Sequence, residues 1–374
     1  MKLIVFGLAM SSSWGNGHAT LWRGLARAWI ERGHEFVFFE RDVPYYQAHR
    51  DLHTIKGGEL ILYQNWEESA PLARRHLAEA DVGMVTSYCP DGIAASELVL
   101  SSNVLGTFYD LDTPVTLSRL SAGEPIAYIG ERGLRDFELV LSYTGGKALE
   151  QLQKQLGAKR VAPLYGSVDP NLHKPVEPVE SYRADLSYLG TYAEDRQERL
   201  NELLIETAKR LPDQRFVIGG AQYPAQFPWT ENIFFVRHLP PGEHPAFYCS
   251  SRLTLNITRR AMAEMGYCPS GRLFEAAACG TPILTDTWEG LDQFFEPSRE
   301  ILVAQSTEDA VGALELTERE LKEIAKAARE RTFSEHTAAK RVIDLEQALE
   351  ATLGTEREME LLGEMAGQNS MKED

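Results

Sequence analysis

Short apolar runs and amphipathic stretches alternate along most of this chain. Residues 2–7 (KLIVFG) form an apolar run of strand length, and 19–32 carries apolar residues at helical spacing. A second run, 35–40, follows an Arg-Gly-His turn, and further runs at 82–86, 104–109, 139–143 and 160–165 keep strand spacing. Gly145-Gly146 leads into a predicted helix over 147–156. Alternation of this kind predicts an α/β fold with a parallel, doubly wound sheet.

The segment 168–179, VDPNLHKPVEPV, interrupts that rhythm with prolines and polar residues and reads as a linker. Strand 185–189, helix 195–210 and strand 215–218 then restart it, and 233–236, 253–257 and 282–285 continue a second sheet. The expected organisation is two Rossmann-like domains, 1–167 and 181–334, with 168–180 between them. A helix over 335–353 and a frayed polar tail over 354–374 complete the chain.

Composition narrows the partners. The 374 residues are 43% hydrophobic and 25% charged, ordinary for a globular protein long enough for two cores. The net charge of −17 argues against nucleic acid, and it is uneven: residues 1–165 carry −3 and the rest −14. No apolar run approaches the roughly 20 residues of a membrane span. Met1–Met10 reads as a strand and not a signal peptide, because a glycine turn and an amphipathic helix follow at once. Cys89, Cys249, Cys268 and Cys279 are scattered without a CxxC pair. Reduced thiols, a cytoplasmic location and no zinc site are expected.

The densest chemistry lies at 266–286, GYCPSGRLFEAAACGTPILTD. Ser270 suits an N-cap; Leu273, Phe274, Ala277 and Ala278 share a helical face; Gly280 fits the C′ position before Pro282. A helix opening at Ser270-Gly271-Arg272 offers free amides, a positive dipole end and a guanidinium, a combination that suits a diphosphate. Glu275, one turn in, is placed to accept sugar hydroxyls. An ordinary capped surface helix is the competing reading of the same residues.

The EAAACGTPILTD run resembles the donor-nucleotide segment of GT-B glycosyltransferases, above all the large retaining family with an E-x7-E motif. Glu275 matches the second glutamate, which that resemblance assigns to the donor ribose; Tyr267 stands where the first would contact the donor sugar. The SGRLFEAAACGTP wording is similar to the spore-maturation CgeB-type group. The Val-Asp-Pro step of the linker resembles the GT-B domain junction, and the resemblance implies that the last helix crosses back to the first domain. At 190–196 the family's G-R-L-x-x-x-K is matched by Gly190 and Arg196, with Thr191 replacing an arginine. Arg259 and Arg260 are available to supply the missing charge.

In the first domain, SSSWGNGH (11–18) resembles the GxGH turn of inverting GT-B enzymes. It is carried by Gly15, Gly17 and His18, with Arg32-Gly33-His34 after it, and implies His18 as general base. Asp110 and Asp112 follow a predicted strand where open α/β sheets place ligands, and either suits orientation of that imidazole, Asp112 the better. The Asp-Leu-Asp spacing also matches a metal-binding D-x-D, which the doubly wound pattern disfavours. Asp286, Trp288 and Glu289 are further candidates to face the sugar. The expectation is a metal-independent glycosyltransferase needing no cofactor. It transfers from a nucleotide-diphosphate sugar such as a UDP-sugar to an acceptor hydroxyl. Rival readings are a nucleotide-sugar epimerase, a silent nucleotide-sugar binding module, and an NAD enzyme holding ribose on Glu40. Stereochemical outcome stays open, since the two halves resemble families of opposite outcome.

Overall fold

A computed structural model describes the backbone of residues 1–370 and side chains to Gly354. Seven parallel strands form the first sheet: β1 (Lys2–Gly7), β2 (Glu35–Arg41), β3 (Glu59–Tyr63), β4 (Val82–Thr86), β5 (Leu105–Asp110), β6 (Leu139–Ser142) and β7 (Val161–Pro163). They lie in the order 3-2-1-4-5-6-7. Six more form the second: β8 (Ala184–Leu189), β9 (Phe216–Gly220), β10 (Ile233–Arg237), β11 (Ser251–Asn256), β12 (Ile283–Thr285) and β13 (Leu302–Val303), ordered 10-9-8-11-12-13. All the pairings are parallel. Helices cover both faces, so the central strands are buried on both sides and read as unbroken apolar runs.

This is the doubly wound arrangement expected from the alternation, twice over. Two strands escape the sequence pattern. Residues 59–63 form an edge strand that is mostly half-exposed, and Leu302–Val303 is only two residues long. Neither buries enough side chain to leave a periodic signal.

Strand order reverses between β1 and β4 in the first sheet and between β8 and β11 in the second. The crevices at those reversals, past the carboxyl ends of the strands, are where open α/β sheets hold ligands. The loops that follow β1, β4, β8 and β11 therefore frame whatever site this protein has.

Two segments pass between the domains, and they pair. Val168 N donates to His336 O at 3.0 Å, and Ala338 N to Val168 O at 2.8 Å. The last helix, Ala338–Ser370, lays Ala338, Val342, Leu345 and Leu349 into the first domain's core beside Trp22, Leu25 and Trp29. Arg32 makes a two-pronged contact with Glu346, both bonds at 2.6 Å, and His34 meets the same carboxylate. The Arg-Gly-His turn thus serves as the dock for that helix. Residues 355–370, read from sequence as tail, continue the helix; residues 371–374 lie outside the described residues. Among the described residues no helix is long and apolar enough to cross a membrane.

Candidate active site

The loop after β1 is held from beneath. Glu40, fully buried, accepts from Met10 N at 2.7 Å and Ser11 N at 2.8 Å, and from Ser11 Oγ. Its carboxylate is committed to the loop, which removes the ribose-holding role of an NAD site. Asn16 then caps the first helix, accepting from His18 N at 3.1 Å while its amide binds Ala9 O and Ser12 O. That cap starts the helix at Gly17, two residues before the expected Ala19. Gly15 sits at φ +59, where a side chain would strain the turn.

His18 is thereby aimed across the crevice. Its Nε2 lies 3.9 Å from Asp112 Oδ2, and both side chains are about one-fifth exposed. Its Nδ1 is buried with no partner among the described residues. Burial lowers the imidazole pKa from its usual 6.5, and the Asp112 charge opposes that shift. Asp112 is N-cap of helix Thr113–Ser121 but makes no side-chain cap bond, so its carboxylate faces His18 and the Tyr88 hydroxyl. Asp110 is placed differently. As the last residue of β5 it is fully buried, its Oδ1 accepts from Asp112 N at 3.1 Å, and burial raises its pKa to about 6. It shapes the turn and does not line the cleft. Tyr88, held at φ +64 after β4, brings its ring centroid to 5.7 Å from that of His18.

The second domain contributes a group of arginines. Arg272 donates to Leu189 O at 2.7 Å from Nη1, to Ile257 O at 3.1 Å from Nη2, and to Ser270 Oγ at 3.0 Å from Nε. It ties the ends of β8 and β11 together. A Cβ at Gly190 would lie 2.8 Å from Arg272 Nη1 and 2.9 Å from the Tyr188 hydroxyl, so a side chain there would displace one of them. Arg196 donates to Thr191 O at 3.2 Å, while its buried Nε has no partner among the described residues. Burial, with Arg272 and Arg259 nearby, lowers the Arg196 pKa. Arg259 pairs with Asp195 at 3.0 Å and stays one-third exposed. Arg260 points away into an exposed contact with Glu198.

Ser270 occupies the N-cap position of helix Gly271–Ala278 without capping it by its side chain. Its hydroxyl accepts from Arg272 instead, so the first amides of this helix keep no side-chain partner. Glu275 projects from the next turn. Burial pushes its pKa up, but His173, His244 and Arg272 outweigh burial and hold it at about 2. The Tyr248 hydroxyl donates to its Oε2 at 3.4 Å.

Tyr267, at φ +47, is turned toward the other domain. Its carbonyl accepts from Gly145 N at 3.0 Å and its N–H donates to Glu289 O at 2.7 Å. The ring packs between Gly146 and Gly290. The three candidates in the loop after β12 are also engaged elsewhere. Asp286 accepts from Thr258 N and Oγ1, Trp288 is buried, and Glu289 reaches Lys147 at 2.8 Å. None of these three lines the cleft.

Eleven sequence-predicted site residues line one interdomain cleft of about 570 Å³, whereas Asp110, Arg260, Tyr267, Asp286, Trp288 and Glu289 do not. Gly15, Gly17, His18 and Asp112 face it from the first domain. Gly190, Arg196, Arg259, Ser270, Gly271, Arg272 and Glu275 face it from the second. Sequence reasoning missed Tyr88, Tyr143, His238 and His244, which also line it. No local motif marks these four; strand order alone brings them together.

Two parallel Rossmann-like sheets facing one cleft match the fold of solved GT-B glycosyltransferase structures. Residues 196–347 match a family model described as glycosyl transferase-like. Among solved structures, the chain is similar to sucrose-phosphate synthase from Thermosynechococcus elongatus, at 13% identity and TM-score 0.69, covering 95% of this chain and 100% of that one. It is also similar to Anabaena HepE in complex with UDP and glucose, at 12% identity and TM-score 0.64, covering 94% and 100%. The catalytic domain of Arabidopsis thaliana starch synthase IV bound to ADP and acarbose aligns at 10% identity and TM-score 0.63, covering 95% and 99%. At these identities the likeness is one of fold. No curated protein matches the chain.

Proposed function

We propose that this protein transfers a sugar from a nucleotide-diphosphate donor, of the UDP-sugar kind, to an acceptor hydroxyl. The observation that carries the reading is the single cleft in which the His18–Asp112 pair faces Arg196, Arg259, Arg272 and Glu275. The second domain takes the donor: free amides at Gly271 and the guanidinium groups of Arg196 and Arg259 receive the diphosphate, and Arg272 frames it. Glu275 accepts hydrogen bonds from the ribose. The acceptor oxygen attacks the anomeric carbon as the bond to the diphosphate oxygen breaks. The electron pair leaves with the diphosphate, where the arginines stabilise it without a metal. His18 takes the acceptor proton and Asp112 stabilises the imidazolium, which makes the transfer an inverting one.

Within the class we place the chain with the CgeB-type group, on its SGRLFEAAACGTP segment, and in the cytoplasm, on its four free cysteines. The UDP and ADP complexes among the similar structures support a nucleoside diphosphate as the ligand. A thermal-shift panel of nucleotides and nucleotide sugars tests the donor, since a ligand of the native state raises stability by mass action. No stabilisation by any nucleoside diphosphate would sink the reading. With a donor in hand, His18→Ala is expected to cut turnover about 10²–10⁴-fold at nearly unchanged donor affinity. Interconversion of the donor without an acceptor assigns an epimerase; binding without turnover assigns a silent module.

A further inference from the structure

Three elements converge on one oxygen of Glu275. The carboxylate comes from helix Gly271–Ala278, His244 from helix His244–Cys249, and His173 from the segment between the domains. Glu275 Oε2 lies 3.6 Å from His244 Nδ1 and 3.9 Å from His173 Nε2, and the three candidate ligand atoms all fall within 4.8 Å of one another.

The Tyr248 hydroxyl donates to this oxygen at 3.4 Å, but the two imidazoles beside it are left without partners there. His244 Nε2 lies 3.3 Å from the Leu239 carbonyl, a contact only an N–H can make. In the neutral ring that proton leaves Nδ1 as a bare lone pair facing a carboxylate. His173 is 1% exposed, and neither of its ring nitrogens has a partner among the described residues. Protonating His244 repairs one contact and leaves His173 orphaned in the interior. A cation among the three atoms gives each of those three a partner and leaves only His173 Nδ1 without one among the described residues.

We propose that His173, His244 and Glu275 form a divalent-cation site suited to Zn²⁺. Two imidazoles and one carboxylate are a zinc donor set that leaves a fourth position for water. Tetrahedral zinc with bonds near 2.0–2.1 Å holds its ligands roughly 3.3 Å apart, so closing this site asks for small inward shifts. The Nε2–H to Leu239 contact is the outer hydrogen bond that fixes a ligating histidine's tautomer. The ion pins the interdomain segment to two helices of the second domain and fixes Glu275 through Oε2. The other oxygen, on the side of Gly271, is left for the cleft. Only this last consequence rests on the donor-site reading; the ion does not act on the diphosphate.

The test is calorimetric titration of the metal-depleted full chain with Zn²⁺, with Co²⁺ absorption as a report on coordination. One equivalent is expected to bind, Co²⁺ giving the visible bands of a four-coordinate site. His173→Gln and His244→Gln, each checked for folding by circular dichroism, are each expected to weaken Zn²⁺ at least tenfold. Absence of Zn²⁺ binding, or binding unchanged in both variants, overturns the site. Nucleoside diphosphate titrated into the same metal-free protein keeps the readings apart. Nucleotide binding without zinc binding removes the metal site alone, and zinc binding without nucleotide binding removes the donor site alone.

Discussion

Arg272 donates a hydrogen bond to the carbonyl oxygen of Leu189 at 2.7 Å, and with its other amino group reaches Ile257. One side chain thus joins the ends of two neighbouring strands at the reversal point of the second sheet. Removing it leaves two carbonyls without their donor and takes packing from Tyr188, over whose ring the guanidinium lies. Arg272→Ala is expected to lose about 2–4 kcal/mol of stability. Denaturant unfolding measures this; a loss below about 0.5 kcal/mol would make Arg272 a ligand-facing group only.

Arg196 predicts the opposite balance. Its buried Nε has no partner among the described residues and two other arginines stand near it, so the free protein gains little from its charge. Arg196→Leu is expected to leave unfolding unchanged or slightly stabilised. Affinity for a nucleoside diphosphate should fall by about 1.5–3 kcal/mol, the worth of a charge-assisted bond. Calorimetry and unfolding on one sample decide it; equal losses in both would make Arg196 a scaffold residue like Arg272.

Central strands such as 2–7 and 82–86 were legible because burial on both faces writes an unbroken apolar run into the sequence. The edge strand 59–63 was not, since half-exposed positions admit mixed residues. The two glycine-bearing turns were legible because a tight turn at a helix start constrains adjacent residues. Tyr88, His244 and His173 were not, because strand order and the path between domains bring them to the site. Asp110 and Asp112 lie two residues apart, and the sequence favours Asp112 only slightly. The chain leaves the sheet between them, so one is sealed in the core and the other faces the cleft.

Tyr267 fills the space that glycine leaves at 146 and 290. A Cβ on Gly146 would lie 2.4 Å from the Tyr267 ring, and Gly146 also holds φ +54. Gly146→Ala therefore carries two penalties, backbone strain of about 1 kcal/mol and a ring clash. Tyr267→Ala removes only the second. A double-mutant cycle is expected to show coupling of at least about 1 kcal/mol between the two positions. Additive losses would mean that the ring moves aside at no cost.

Asp110 makes stability depend on pH in a direction opposite to most carboxylates. Its folded pKa stands at about 6 against 3.8 for the free group, raised by burial, so folding favours the neutral acid. Its contribution is fully present below 3.8 and is lost as pH rises through 6. Asp110→Asn keeps an acceptor for Asp112 N and does not titrate. Relative to wild type, this variant should gain stability between pH 4 and pH 7.5, by on the order of 2 kcal/mol. Melting both proteins at the two pH values tests this, and a constant difference would contradict it.

Asp112 raises the pKa of His18 while burial lowers it. A base must be neutral to act, so the acidic limb of kcat/KM in wild type should have its midpoint below 6.5, the usual imidazole value. Asp112→Asn deletes the charge that opposes burial. The limb should move to still lower pH, because the imidazole then resists protonation more strongly. The plateau should fall at the same time, since the imidazolium formed in the transition state loses its partner. A charge about 4 Å away in a partly solvated cleft is worth about 1.5–3 kcal/mol, which is roughly a 10–100-fold loss of rate. Donor affinity should change little, the donor being held by the other domain. A limb that moves upward, or a plateau that stays, would separate Asp112 from His18. A merely structural aspartate would lower the plateau without moving the limb, and the joint shift is what distinguishes a positioning residue.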